Sequence, residues 1–179
     1  MKNFFLLGIT LFAFSSVQAQ NNSTENQKRN EFKLNVVFPL FGTFEATYER
    51  HLTDKSAVGI SGLYVFNNDK SNEDMNYMFS PYYRRYFGKK QASGLFVEGF
   101  GAVSSIDGEK IYDTPAHTTF TKGDDVIDFS LGLGIGSKWV TKSGFVFEVN
   151  ARMGKLLFNS GKTDHTHVAR FGFHVGYTF

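Results

Sequence analysis

Residues 170–179 read RFGFHVGYTF. Phe171, Phe173, Val175, Tyr177 and Phe179 share one parity, while Arg170, Gly172, His174, Gly176 and Thr178 share the other. A strand turns successive side chains to opposite faces, so this segment has one wholly apolar face and one polar or small face. The apolar face runs on to an aromatic at the last residue. A strand facing lipid needs such a face, whereas an ordinary soluble sheet rarely does.

The same period recurs along the chain. Eight alternating segments are read at 31–39, 44–52, 58–67, 76–87, 95–107, 126–140, 145–158 and 169–179. In the sixth, Ile127, Phe129, Leu131, Leu133 and Ile135 oppose Asp128, Ser130, Gly132, Gly134, Gly136 and Lys138. In the seventh, Phe145, Phe147, Val149, Ala151 and Met153 oppose Val146, Glu148, Asn150, Arg152 and Gly154. Slipping the register by one residue would exchange the two faces, so the pattern specifies the register strongly. The glycines 132, 134 and 136 are expected to leave room for Glu148, Asn150 and Arg152 on the next strand.

Connections alternate as well. TDKS (53–56), GKKQASG (88–94) and TKSG (141–144) are short and rich in turn formers, whereas 67–75, 108–125 and 159–168 are longer and polar. Short turns at one end and longer loops at the other fit an outer-membrane barrel. The first long-loop-side connection, 40–43, is expected to be exceptionally short. Aromatics make up 17% of the chain, with 21 Phe and 8 Tyr, yet mean hydropathy is mildly negative. That combination suits strands with apolar outsides and polar insides. No segment after the N-terminus has the roughly 20 consecutive apolar residues of a spanning helix. Only helices and closed barrels satisfy their backbone in lipid, which leaves the barrel.

The N-terminus adds its own signal. Lys2 precedes an apolar run over 4–14, and Val17-Gln18-Ala19 resembles a cleavage site before Gln20. Residues 1–19 are therefore expected to be a secretory signal peptide, with 20–30 as a polar periplasmic leader and 31–179 as the barrel. The chain has no Cys, so no disulfide framework is expected. A formal charge of +2 argues against a nucleic-acid partner.

The polar parity carries charges in mid-strand. The inward acids are read as Glu45, Glu49, Glu98, Asp128 and Glu148, and the inward bases as Lys33, Arg84, Lys138, Arg152 and Arg170. An eight-stranded barrel is just wide enough for side chains to fill it. Balanced charges in that space predict a luminal ion-pair network rather than an open channel. Pairing about the turn at 88–94 sets Arg84 opposite Glu98. Trp139, Phe87 and Phe179 fall near the periplasmic strand ends, at headgroup level.

Taken together, VQAQ at 17–20, PYYRRYF at 81–87, GLGIG at 132–136 and GYTF at 176–179 resemble small outer-membrane barrels of the OmpA/OmpX type. The closer resemblance is to Bacteroidota-type outer-membrane β-barrel domain proteins of unknown function. It implies insertion by the barrel-assembly machinery, which reads a terminal aromatic strand: here Phe171, Phe173, Val175, Tyr177 and Phe179. It implies no shared catalytic residues. Unlike OmpA, the chain is expected to carry no peptidoglycan-binding domain after the barrel.

Any enzymatic chemistry would fall to the histidines. His117, His165, His167 and His174, with Ser160 and Asp164, are the candidates for a lipid A-modifying site. Only 164–167 (DHTH) is locally dense, and it lacks the serine spacing of such enzymes. His165 and His167 could face one metal, but two ligands do not make a site. His174 is expected to be structural. A soluble lipocalin-like barrel, with its apolar face inward around a ligand, is the other alternative; a conducting pore is disfavoured by the charges. The expectation is an all-β, eight-stranded, antiparallel up-and-down transmembrane barrel. It should be monomeric and non-enzymatic, without cofactor or metal, with outer-membrane lipid as its main partner and both termini periplasmic.

Overall fold

The computed structural model of the chain describes residues 28–67, 75–108, 110–112, 120–122, 124–159, 163 and 166–179. The signal peptide, most of the leader, and the loop candidates His117, Ser160, Asp164 and His165 lie outside the described residues.

The described residues form ten strands: β1 (Asn30–Asn35), β2 (Thr43–Thr53), β3 (Ser56–Val65), β4 (Met75–Tyr86), β5 (Gly94–Ile106), β6 (Lys110–Tyr112), β7 (Phe120–Lys122), β8 (Val126–Val140), β9 (Phe145–Leu156) and β10 (His167–Thr178). Eight of them close a barrel in the order β1-β10-β9-β8-β5-β4-β3-β2, and every pairing is antiparallel. Closure runs through β1 and β10, where Phe32 faces Tyr177 and Lys33 faces Gly176. Asn30 and Phe179 each donate a backbone N–H to the other's carbonyl, at 3.0 and 2.8 Å. Both described chain ends therefore lie at the end of the barrel that carries the short turns.

Two segments depart from the sequence reading. The first strand ends at Asn35 rather than near Pro39. The Asn35 side-chain oxygen accepts the backbone N–H groups of Val37 and Phe38, at 3.1 and 3.3 Å, and so turns the chain out of the ladder. A 3-10 turn follows at Phe38–Phe41, closed by Gly42 in the left-handed region at φ 74°. Pro39 has no N–H to give to a ladder, which favours the turn over a longer strand. The connection after β1 is thus longer than the short loop expected at 40–43. The second departure is the β6–β7 pair, in which Ile111 faces Thr121 inside the segment read as a plain surface loop. Three-residue strands give too little alternation to be read from sequence.

The wall sorts its residues as the alternation requires. Leu133, Phe171, Met153, Ile135 and Phe173 point outward and are exposed, while Lys33, Glu49, Arg84 and Lys138 point inward and are 0% exposed. The lipocalin-like arrangement, apolar face inward, is not what forms. Aromatics collect toward both ends of the outer wall: Phe87, Trp139, Phe145 and Phe179 on the short-turn side, and Tyr64, Phe66, Tyr77 and Phe158 on the other.

Inside, the two ends differ in material. Leu63, Val65, Met75, Met78, Ala102, Ile106, Leu156 and Val168 form an apolar cluster toward the long-loop end, with Phe38 of the 3-10 turn packed on it. The half nearer the short turns holds most of the buried charge. The turn at 87–93 folds across that mouth: Ala92 is buried and donates its backbone N–H to Asp54, and the Ser93 hydroxyl donates to the carbonyl of Lys138.

The neighbours expected for the β8 glycines hold in part. Gly136 and Gly134 do face Asn150 and Arg152, but Gly132 faces Gly154, and Glu148 faces Lys138. On their other side they face β5, whose Phe96, Glu98 and Phe100 stand opposite Gly136, Gly134 and Gly132. A Cβ at Gly132 or Gly136 would run into the rings of Phe100 and Phe96. The glycines therefore make room chiefly for the large inward residues of β5.

Candidate functional site

The most unusual group of residues lies within the barrel. Arg84 faces Glu98 across β4 and β5. Its Nε and Nη2 donate to Glu98 Oε2 at 2.9 and 2.7 Å, and Nη1 donates to Glu49 at 2.9 Å and to Glu148 at 2.7 Å. One guanidinium thus binds three carboxylates from three other strands, the use for which its planar fork of donors is suited. Lys33 Nζ lies 3.0, 3.1 and 2.6 Å from Glu31, Glu49 and Glu148. Lys138 Nζ lies 3.0 and 2.7 Å from Glu31 and Glu49. Arg152 Nε stands 2.5 Å from Glu98, and its Nη1 donates to Ser61.

A second, smaller set surrounds Glu45. Arg170 and His174 approach it at 3.4 and 3.3 Å, and the Asn35 amide donates to it at 3.0 Å. Arg170 also lies 4.9 Å from the ring centre of Phe38, which ties this set to the 3-10 turn.

Asp128 differs from the role read for it. Its carboxylate is buried, but among the described residues it meets no cation. It accepts the backbone N–H groups of Phe129, Phe158 and Asn159, at 2.6, 3.1 and 2.9 Å. It fixes the chain leaving β9 instead of joining an ion pair.

The set is wider than the charges read from the sequence. Glu31 shares parity with Lys33 and is fully buried. Tyr82 and Tyr86 share parity with Arg84, and their hydroxyls donate to Glu49 at 2.8 and 2.6 Å. The Arg84 guanidinium lies 3.8 Å from the ring centre of Phe96. His51 sits 3.4 Å from both Glu31 and Glu49. Parity with Lys33, Arg84, Glu98 and Glu49, each inward on its own strand, identifies all of these. Their aromatic or strand-end character hid them.

Glu31, Glu49 and His51 have ligand atoms close enough to share a cation. The cation already there is Lys138, whose Nζ is in contact with both carboxylates and lies 3.4 Å from His51 Nε2. Ammonium and metal would compete for one place, so the donor set fits a lysine salt bridge better than a metal centre. His174 lies inside near Glu45. His167 is exposed at the start of β10, hydrogen-bonded to Thr166.

A family model described as "Protein of unknown function (DUF3575)" matches residues 6–175. Among solved structures, the chain is similar to the N-terminal β-barrel domain of Pseudomonas aeruginosa OprF. Identity is 16%, with 86% of this chain and 98% of that chain covered and a TM-score of 0.58. It also matches the Yersinia pestis outer membrane protein Ail at 13% identity, covering 86% of this chain and 100% of that one, with a TM-score of 0.40. No curated protein matches. The likeness to the OprF domain agrees with the closed eight-stranded architecture.

Proposed function

The chain belongs to the DUF3575 family of proteins of unknown function, and on that premise we propose that it is an integral outer-membrane barrel. Its role is structural or surface-interactive: a closed body that presents the long loops to the exterior and keeps both ends of the chain in the periplasm. The observation that carries this reading is the inverted sorting of the wall. Charged side chains such as Arg84 and Lys138 are wholly buried inside, while Leu133, Phe171, Met153 and Phe158 are exposed outside. In water, so large a continuous apolar surface would drive association. In hydrocarbon it is the favoured surface. The outward charges of the eight barrel strands, Arg50, Arg85 and Lys155, stand near strand ends and leave the middle of the wall uncharged. Strands of 10–13 residues suit a tilted crossing, for which about 9–11 suffice.

The ion-pair set supports a plugged, non-conducting barrel, and the apolar cluster toward the other end supports the same reading. The non-enzymatic role is part of the proposal, and the lipid A of a deletion strain tests it. The test begins with membranes from cells making the full chain. The protein should resist alkaline extraction and migrate differently in SDS gels with and without boiling, because a closed barrel holds its backbone bonds internally. Extraction by alkali together with identical migration would overturn the membrane reading. A deletion strain then tests the role: altered lipid A would overturn the non-enzymatic reading, and a surface-binding defect with unchanged lipid A would support it.

A further inference from the structure

The charges exposed at the two ends of the barrel have opposite sign. At the short-turn end, Lys28 and Arg29 precede β1, Lys89 and Lys90 sit in the turn after β4, and Lys142 sits in the turn after β8; all are exposed. Asp54 is the exposed acid there among the described residues. At the other end, Asp124 and Asp125 are exposed, as is Lys155 near the end of β9, and the sequences of the three longer connections, 66–74, 107–125 and 157–166, hold nine acids against four bases.

Two members of the basic set differ from the rest in position. Arg50 and Arg85 are not on turn tips but on the outer wall, exposed, following Tyr48 on β2 and Tyr83 on β4 in the outward parity. Arg50 faces Val58 and Arg85 faces Ser56, so the two flank the same stretch of β3. Two strand spacings separate them, roughly 10 Å across the wall. Neither has a carboxylate partner among the described residues. Leu52, Tyr83 and Phe87 beside them are exposed and apolar or aromatic. A long basic side chain here can lay its stem on the apolar wall and lift its charge to the membrane surface.

We propose that Arg50 and Arg85, backed by the basic short turns, form a docking surface for anionic phospholipid headgroups in the leaflet at the short-turn end. The inference rests on the membrane reading above. Charge complementarity selects the occupant, since the surface is basic and its two arginines have no carboxylate partner among the described residues. Position selects lipid over a soluble anion or protein, because the arginines are on the wall that meets the bilayer and are continuous with its aromatic girdle. The acidic opposite end would repel the same headgroups, so the preference belongs to one leaflet.

The test uses full-length protein folded into phosphatidylcholine vesicles, with a reporter between the two arginines. A Val58→Trp, Trp139→Phe variant provides one, because the chain has a single tryptophan. Brominated phosphatidylglycerol should quench the introduced indole at lower mole fraction than brominated phosphatidylcholine does. Each basic residue near an anionic surface contributes about 1 kcal/mol, so the expected preference is about fivefold for each engaged arginine. A Tyr64→Trp, Trp139→Phe variant, on the same strand near the other end, should show no such preference. Adding Arg50→Gln and Arg85→Gln should abolish the preference at position 58, and Arg50→Lys with Arg85→Lys should retain part of it. Sodium phosphate should weaken it no more than sodium chloride of equal ionic strength. Equal quenching by both lipids at position 58, a preference unchanged by the double glutamine variant, or selective displacement by phosphate would overturn the proposal. Failure of either lipid to quench would overturn the membrane reading instead, and the unboiled gel band reports folding of every variant.

Discussion

Arg84 is the residue on which the interior depends most. Its guanidinium contacts Glu49, Glu98 and Glu148, each 0–1% exposed at the side chain. Removing one partner of a buried charge pair costs roughly 3–5 kcal/mol, mostly from the charge left behind. Arg84→Met strips a partner from three carboxylates at once, whereas Glu98→Leu deprives Arg84 of one of three and Arg152 of its close carboxylate. Arg84→Met should therefore lower the temperature at which the folded gel band disappears by more than Glu98→Leu does. Joining the two restores the balance of charge, so the double variant should outlast Arg84→Met alone. Equal thermal loss in all three would show that water reaches the cluster and screens it. The pairing of these two residues is legible from the turn at 88–94, because counting back and forward from it fixes the register. The wider set was not legible from alternation alone. A charge in mid-strand marks itself as inward, whereas Tyr82 and Tyr86 could as well have belonged to the outer girdle.

At the scale of the element, alternation was informative wherever the two faces differ in character. It gave β8, β9 and β10 nearly whole, since Leu133 beside Gly134 or Phe171 beside Arg170 leaves no doubt about the face. It was weakest on β3, where inward Leu63 and Val65 bracket outward Tyr64, so both parities are apolar. For that reason the apolar half of the interior could not be foreseen. The end of β1 was hidden for another reason: it is set by one side chain, Asn35, bonding to the backbone beyond it. Packing between β5 and β8 gives a test at this scale. A Cβ at Gly136 would meet the Phe96 ring, the Val149 carbonyl and Asn150, whereas one at Gly62 meets nothing within 4 Å. Gly136→Val should destabilise the barrel by about 1–3 kcal/mol, the usual cost of overpacking a filled interior. Gly62→Val, on the outer wall of β3, should be neutral or slightly stabilising, because it only restricts the unfolded chain and adds apolar surface outside. Urea unfolding in lipid vesicles measures both, and comparable loss in the two would mean that the interior is looser than its contacts imply.

For the whole molecule, the decisive event is closure. An open eight-stranded sheet with this composition would expose the backbone edges of β1 and β10 and, beside them, the buried charges of Glu31 and Lys33. Closed, the same strands satisfy each other, and unpaired edges disappear. Tyr177 and Thr178 supply two of the five register pairs that join β10 to β1, opposite Phe32 and Glu31. Phe179 adds the reciprocal backbone bonds with Asn30, and Thr178 donates its N–H to the Gly144 carbonyl in the neighbouring turn. Deleting 177–179 therefore takes away the seam directly over the ionic cluster, where an open edge would admit water and leave β1, with only six residues, held mainly by β2. In lipid each unsatisfied backbone group costs several kcal/mol, so partial closure is not an intermediate position of modest cost. The truncated chain should yield no heat-modifiable species in membranes or in refolding vesicles. Phe179→Ala keeps the backbone bonds, loses only the ring, and should still fold. A folded band from the truncated chain would show that closure tolerates a shortened seam. Failure of both variants alike would place the requirement in the terminal aromatic itself.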